Sequence, residues 1–94
     1  MTLLRDNAAA RRLEMDEDGQ VVFARYRRQG GRLIIDHVEA PPALRGTGAS
    51  GRFMEALADD ARAAGERIVP LCRYAAVWLD RHPQHGDLVD RTAG

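Results

Sequence analysis

A glycine-rich turn at the predicted start of a helix is the part of this 94-residue chain best suited to bind a ligand. The first N–H groups of a helix lack intrahelical partners, and small side chains leave them open to a ligand. These N–H groups and the positive end of the helix dipole favour an anion, most simply a phosphate. The turn therefore predicts an anion site, and its residues are Arg45, Gly46, Thr47, Gly48, Ala49, Ser50 and Gly51.

Predicted strands lead into this turn. The segments Gln20–Arg28 and Arg32–Glu39 are rich in β-branched and aromatic residues, which favour strands. Between them, Gln29–Gly31 contains the paired glycines of a tight hairpin. A short run at Arg11–Met15 leads into an acidic turn at Asp16–Gly19. We therefore expect three consecutive strands in an antiparallel meander.

An amphipathic helix follows the turn and is expected to end at Gly65. The segment Arg67–Cys72 is then a short strand, and the strand-helix-strand order implies a right-handed crossover that makes it parallel to the Ile34 strand. A short helix from Tyr74 to Arg81 follows, with Trp78 in the core. The apolar stripe of the first helix comprises Phe53, Met54, Leu57, Ala61 and Ala64, at spacings of three and four.

These elements predict an α+β class and one domain covering residues 1–94. The expected architecture is a mixed sheet with an antiparallel N-terminal meander, the main helix after the glycine-rich turn, a parallel strand and a short C-terminal helix. Residues 1–10 show no clear period, and the segment from Gly86 onward reads as a polar tail. We therefore expect residues 1–10 and 87–94 to be peripheral.

Composition narrows the possible partners. The chain has 14 acidic and 14 basic residues, so its neutral net charge argues against nucleic acid. No apolar run is long enough to span a membrane and the N-terminus does not resemble a signal peptide, which predicts a cytoplasmic protein. The single cysteine and the absence of recognisable ligand spacing around His82 and His85 predict no metal site, with both histidines at the surface.

The segment Glu39–Ser50 is similar to the acyl-CoA-binding segment of the GNAT superfamily of N-acetyltransferases. The signature of that superfamily is Arg or Gln, two residues, Gly, one residue, then Gly or Ala. Arg45 and Gly48 match it, and Ser50 is small where the family has glycine or alanine. Together with Pro70–Tyr74 and the chain length, these residues resemble the very small, single-domain GNAT-like proteins over most of the chain.

The resemblance implies an acetyl-CoA-dependent N-acetyltransferase that uses acetyl-CoA as co-substrate and an amine as acceptor. We expect the protein to be a monomer or weak homodimer. It places the CoA pyrophosphate on the backbone N–H groups of Arg45–Ser50. It places the pantetheine arm on those of Val38, Glu39 and Ala40, as if a peptide extended the sheet. The identity of the anion as CoA comes from the resemblance, whereas the anion site comes from the turn itself.

GNAT-type transfer generally needs a base for the attacking amine and an acid for the departing thiolate. Glu39 and His37 fall two residues apart on one predicted strand and share a face, so either could be the base or both could be a solvated strand edge. Tyr74 could supply the acid or simply pack at a helix start.

Cys72 has two interpretations as well. It precedes a helix and adjoins Arg73, and both features lower the pKa of a thiol, which would make Cys72 a nucleophile or base. A lone cysteine is also commonly a small buried hydrophobic residue.

Two other functions remain open from the sequence. A CoA-binding module that senses or presents acyl-CoA without turnover would need the same turn. A nucleic-acid binder would depend on an arginine cluster at one hairpin, formed by Arg25, Arg27, Arg28 and Arg32.

Overall fold

A computed structural model describes residues 4–90 of the chain. In that part, five strands form one sheet in which their spatial order is their order along the chain, accompanied by two α-helices. Three short 3-10 turns occur at Ala8–Ala10, Pro42–Leu44 and Pro83–Leu88. The main elements are β1 Leu4–Asn7, β2 Arg12–Glu17, β3 Gln20–Gln29, β4 Arg32–Glu39, α1 Ala49–Ala64, β5 Arg67–Pro70 and α2 Arg73–Asp80.

The predicted α+β class and mixed sheet are confirmed. Strands β1 to β4 are antiparallel neighbours, and β4 pairs with β5 in parallel. Gly30 and Gly31 have φ angles of 58° and 77°, and they close the hairpin in which Gln29 faces Arg32. Two consecutive positive φ angles match the right-handed twist of the strands, which explains the glycine pair.

The N-terminal prediction was incomplete, because Leu4–Asn7 form an edge strand that was left unassigned. β2 also extends to Glu17, so the acidic turn is reduced to Asp18 and Gly19. Besides its backbone ladder with β2, β1 is held by ion pairs: the Arg5 guanidinium lies 3.0 Å from Glu14 and 2.7 Å from Asp16. Residues 1–3 lie outside the described part of the chain.

Both helices share one core with the sheet. Alternate residues of β2, β3 and β4 pack against the apolar stripe of α1 and against α2, with Trp78 buried as expected. The stripe is correct except at Ala64, which is exposed at the last position of α1. Neither helix in residues 4–90 combines the length and hydropathy needed to cross a bilayer. The largest fully buried side chains are Phe53, Leu13, Leu33, Ile35, Met54, Leu57, Ile68 and Val22.

The predicted polar tail after Gly86 is wrong for the residues up to 90. Leu88 and Val89 are buried, and Val89 forms an isolated parallel bridge with Ile68. His85, expected at the surface, is only 5% exposed. The few apolar residues here lie in or beside a 3-10 turn, so they show neither the helix nor the strand period. Hydrophobic periodicity therefore could not predict their burial.

Asp6 offers a test of how β1 is held. Its carboxylate accepts hydrogen bonds from the Tyr26 hydroxyl and, at 2.7 Å, from Arg28. Although desolvation raises the pKa of Asp6, these two bonds outweigh it and hold the pKa below its ordinary value of 3.8. A depressed folded-state pKa stabilises the fold above the unfolded value, and this contribution is lost as the pH falls through the folded value.

We therefore expect Asp6→Asn to lower the free energy of unfolding by about 1 kcal/mol at neutral pH, as for other hydrogen-bond losses. The difference from wild type should shrink as the pH falls below 3.8. Urea unfolding of wild type and Asp6→Asn at neutral pH and below pH 3.8 measures this difference in stability. Asp60→Asn, which removes a carboxylate on α1, is the control. Equal stability of wild type and Asp6→Asn at neutral pH would show that this carboxylate does not anchor β1.

Candidate active site

A gap opens beside the second half of β4, because β5 is the shorter strand. The parallel register ends where Ile35 faces Pro70. The backbone N–H groups of Leu71 and Cys72 both donate to the Ile35 carbonyl, at 3.0 and 3.1 Å, and this turns the chain away from β4. No described strand pairs with β4 on that side beyond Ile35. An unpaired strand edge presents free N–H and C=O groups to an extended ligand.

A bulge lies in the same half of β4. The register with β3 shifts between Arg25 and Tyr26, whose partners are His37 and Ile35, so Asp36 is the extra residue. Asp36 accepts two hydrogen bonds from Arg27, at 2.9 and 2.8 Å. These bonds, more than any other contact, lower the pKa of Asp36. A bulge bends its strand and redirects side chains, and it is common beside functional sites.

The glycine-rich turn is built on two left-handed glycines. Gly46 and Gly48 have φ angles of 81° and 85°, in the region that favours glycine, and Gly48 is the N-cap of α1. Thr47 folds the turn inward: its N–H and hydroxyl both bind the Leu44 carbonyl, and its Oγ1 accepts the Ala49 N–H at 3.3 Å.

Four N–H groups of the turn donate no hydrogen bond within the described part of the chain: those of Gly46, Gly48, Ser50 and Gly51. The other three predicted donors are used internally, since the Arg45 N–H binds the Pro42 carbonyl while those of Thr47 and Ala49 bind within the turn. The prediction that the whole run binds an anion is thus narrowed to these four residues. Gly51 belongs to the predicted turn but was not among the residues that the resemblance assigned to the CoA pyrophosphate.

The turn forms one wall of a concave pocket of about 280 Å³, and Tyr74 at the start of α2 lies across from it. Tyr74 is 40% exposed. Burial of its ring, followed by the neighbouring Cys72, raises the pKa of the phenol above 10, so it is protonated at neutral pH. The fold thereby brings Tyr74, which is far from the turn in sequence, to the pocket that the turn lines. The pocket is lined by Leu44, Arg45, Gly46, Gly48, Ala49, Ser50, Gly51 and Tyr74.

His37 and Glu39 share a face, as alternation predicted, and their side chains are paired: His37 Nε2 lies 3.0 Å from Glu39 Oε1. This hydrogen bond is the largest cause that lowers the pKa of Glu39, and the nearby charges of Arg45 and Arg25 act in the same direction. A carboxylate with a lowered pKa is a poor proton acceptor. It is instead suited to hold the imidazole so that Nδ1 carries the lone pair.

The remaining predicted contacts of the site lie where β4 ends. Val38 is half-buried against the core, and Ala40 is buried. The Ala40 carbonyl accepts a hydrogen bond from Arg45 Nε at 3.3 Å, which ties the end of the strand to the turn. Cys72 is a free, half-buried cysteine at the N-cap of α2 and packs against the core.

The arginine cluster of the hairpin is largely neutralised. Arg27 pairs with Asp36, and Arg32 pairs with Asp90 at 3.0 Å. Arg28 pairs with both Asp6 and Glu66, each at 2.7 Å. Three of the four arginines that suggested a nucleic-acid surface are therefore engaged in ion pairs, and this hypothesis loses its main support.

A second cavity, of about 470 Å³, lies at this hairpin, at the other end of β4 from the turn.

Comparisons with known proteins identify the family and the fold of this chain. A family model described as GCN5-related N-acetyl-transferase matches residues 12–88. The chain therefore belongs to the GCN5-related N-acetyltransferase family, which confirms the resemblance found in the sequence. The NMR solution structure of a GCN5-like protein from Staphylococcus aureus matches the fold with a TM-score of 0.70 at 22% identity, covering 96% of this chain and 91% of that chain. A search of curated proteins finds no significant match.

Two glycines of the turn give opposite predictions for substitution by alanine. At Gly48, the positive φ angle disfavours any Cβ, and the new atom would lie 3.0 Å from Arg52 Nη1. We expect Gly48→Ala to lower the free energy of unfolding by about 1–2 kcal/mol. At Gly51, φ is ordinary and the Cβ would lie 3.6 Å from Trp78 Nε1, a normal contact. Gly51→Ala should therefore raise stability, by up to about 1 kcal/mol.

Urea unfolding of both variants beside wild type tests this pair. Stability changes of the same sign in both variants would contradict the turn geometry described above.

Proposed function

We propose that this protein is an acetyl-CoA-dependent N-acetyltransferase that transfers an acetyl group to an amine. The observation that carries the proposal is the arrangement of four N–H groups at the start of α1 that have no partner among residues 4–90, next to the open edge of β4. An anion and an extended chain can bind there together. CoA has this combination, because its pyrophosphate is linked to the peptide-like pantetheine arm.

The turn suits the pyrophosphate for two reasons. A Cβ built on Gly46 would contact nothing within 4 Å, so this face of the turn is open to a ligand. The N–H groups of Gly46, Gly48 and Ser50 are available to it. The backbone of Val38, Glu39 and Ala40 supplies the ladder for the pantetheine arm, and Arg45 fixes the end of that ladder through the Ala40 carbonyl.

The chain also carries an acid and a base for the transfer. The amine nitrogen forms a bond to the thioester carbonyl carbon, the carbon–sulfur bond breaks, and the amine loses a proton. His37 accepts that proton on Nδ1 while its Nε2–H donates to Glu39. The protonated Tyr74 phenol supplies a proton to the leaving thiolate. Cys72, beside Tyr74, either receives the acetyl group first or only shapes the pocket.

Acetyl-CoA titration of a matched pair of variants tests binding. Gly46→Asp places a carboxylate in the turn, whereas Gly46→Asn introduces a side chain of the same size and similar backbone strain without charge. We expect Gly46→Asp to bind acetyl-CoA at least tenfold more weakly than Gly46→Asn, a loss of about 1.4 kcal/mol, because the added charge repels the pyrophosphate. Isothermal calorimetry measures both affinities.

No heat or thermal stabilisation of wild type at about millimolar acetyl-CoA, a concentration that detects even binding near −4 kcal/mol, would exclude the proposed function. Equal acetyl-CoA affinities of the two Gly46 variants would show that the pyrophosphate does not bind at the turn. Tight binding without acetyl transfer to a broad panel of amines would favour the acyl-CoA-binding module instead.

A second set of variants tests the chemistry. His37→Gln should lower kcat/KM by about 100-fold or more, since it removes the base. Glu39→Gln should lower it by about fivefold or less, because an exposed partner of this kind contributes little. His82→Gln serves as the control histidine and should keep wild-type activity. Acetyl-CoA affinity should be retained in all three, which separates catalysis from binding.

A larger loss in Glu39→Gln than in His37→Gln would reverse the two roles. Intact-mass measurement of wild type and Cys72→Ala after incubation with acetyl-CoA shows whether the acetyl group passes through sulfur. An acetyl adduct found only in wild type supports that route.

A further inference from the structure

A second cluster of chemically capable side chains lies on α1, away from the turn. Glu55 and Asp59 are four residues apart on this helix and so lie one turn above the other on one face. His85, from the 3-10 turn Pro83–Leu88, reaches the same place, with Nε2 3.1 Å from Glu55 Oε2. One potential ligand atom from each of the three residues lies within 4.8 Å of the other two.

The His85 ring is enclosed by its neighbours, although its second ring nitrogen, Nδ1, makes no hydrogen bond in the described chain. The residue is 5% exposed, and its ring stacks on Trp78 with centroids 5.7 Å apart and planes at 20°. Its Nδ1 is buried without a hydrogen-bond partner in the described chain. Stacking on Trp78 and the contact of Nε2 with Glu55 therefore orient the ring, and Nε2 is directed at the carboxylates. His82 is not part of the cluster, because its Nδ1 lies 2.6 Å from the Trp78 carbonyl oxygen.

Among residues 4–90, no arginine forms an ion pair with either carboxylate of this cluster, although the charge of Arg62 acts on Asp59. Arg62, which follows on the helix, is bound to Asp87 at 2.7 and 2.9 Å. Glu55 is 44% exposed at its side chain, and Asp59 is exposed and makes no hydrogen bond with the described residues. Both carboxylates are therefore free to rotate toward a common cation, while the imidazole stays fixed.

We propose that Glu55, Asp59 and His85 bind a divalent transition-metal ion of the zinc type. One imidazole nitrogen and two carboxylate oxygens, with water as a fourth ligand, are a known Zn²⁺ donor set, whereas Mg²⁺ and Ca²⁺ prefer oxygen ligands alone. Zinc lies about 2.0–2.2 Å from such ligands, so the exposed carboxylates need to close in by only about 1 Å.

Such an ion would fasten the C-terminal segment to α1. His85 belongs to the segment that continues to Val89, which contacts the rest of the fold through the bridge of Val89 to Ile68 and the ion pair of Asp87 with Arg62. The ion would add a further attachment, on the same helix whose first residues form the anion site. Because binding requires the folded arrangement of two distant segments, the ion should stabilise the native state.

Calorimetric titration of Zn²⁺ into the untagged, chelator-treated full chain tests this site. We expect one Zn²⁺ per chain in wild type, and binding at least about tenfold weaker in Asp59→Asn and His85→Gln, since each removes a ligand. Asp60→Asn removes a neighbouring helix carboxylate and should bind like wild type. Cys72→Ser should also bind like wild type, which excludes capture by the thiol. Thermal unfolding should show a rise in Tm with Zn²⁺ in wild type and both controls only.

The exposed position of Asp59 keeps the test valid if His85→Gln does not fold. Wild-type affinity in Asp59→Asn, an equal loss in Asp60→Asn, or loss of binding in Cys72→Ser would each overturn the proposal. Absence of Zn²⁺ binding by wild type at about 0.1 mM, a weak affinity for a protein zinc site, would overturn it as well. None of these results depends on acetyl-CoA, so the outcome is independent of the proposed function.

Discussion

The site depends on a single carbonyl group at the middle of the sheet. The Ile35 carbonyl accepts the N–H groups of both Leu71 and Cys72, and with this the parallel pairing of β4 and β5 ends. If β5 continued alongside β4, the second half of β4 would be a buried central strand with every backbone group paired. Because it does not, a strand edge lies open within a fold whose other strands are paired in sequence order. An open edge is a liability for aggregation, and its retention here is consistent with a ligand that occupies it.

The proline-rich segment and the turn connect this edge to the anion site. Proline cannot donate to a ladder, so Pro41 and Pro42 end β4 where the open edge ends. The Arg45 side chain returns to the Ala40 carbonyl, and Thr47 fixes the last residues before α1. The distance between the edge and the helix start is therefore set by short, hydrogen-bonded backbone rather than by a flexible loop. A ligand that contacts both regions meets two sites already placed for it, which reduces the entropic cost of binding.

The sequence predicted this part of the molecule well because local backbone chemistry defines it. Paired glycines, paired prolines and an apolar helix stripe act over a few residues, and they located the hairpin, the end of β4 and α1. The predictions failed where distant residues define the structure. β1 is held by the ion pairs of Arg5 and by the bonds of Asp6, and the burial of His85 depends on Trp78 and α1. Such contacts leave no period in the sequence.

The same contrast between local and distant contacts applies to the candidate catalytic residues, whose positions could be predicted from the sequence but whose roles could not. Alternation along β4 was enough to place His37 and Glu39 on one face, but it could not assign their roles. The assignment needs the contacts that lower the pKa of Glu39, which are first the hydrogen bond with His37 and then the charges of Arg45, from the turn, and Arg25, from β3. A carboxylate surrounded by cations remains ionised and is a weak base, so its imidazole partner is the stronger candidate to accept a proton. In the proposed mechanism, the roles of these two neighbours therefore follow from their own hydrogen bond, and the charges of residues from other elements act in the same direction.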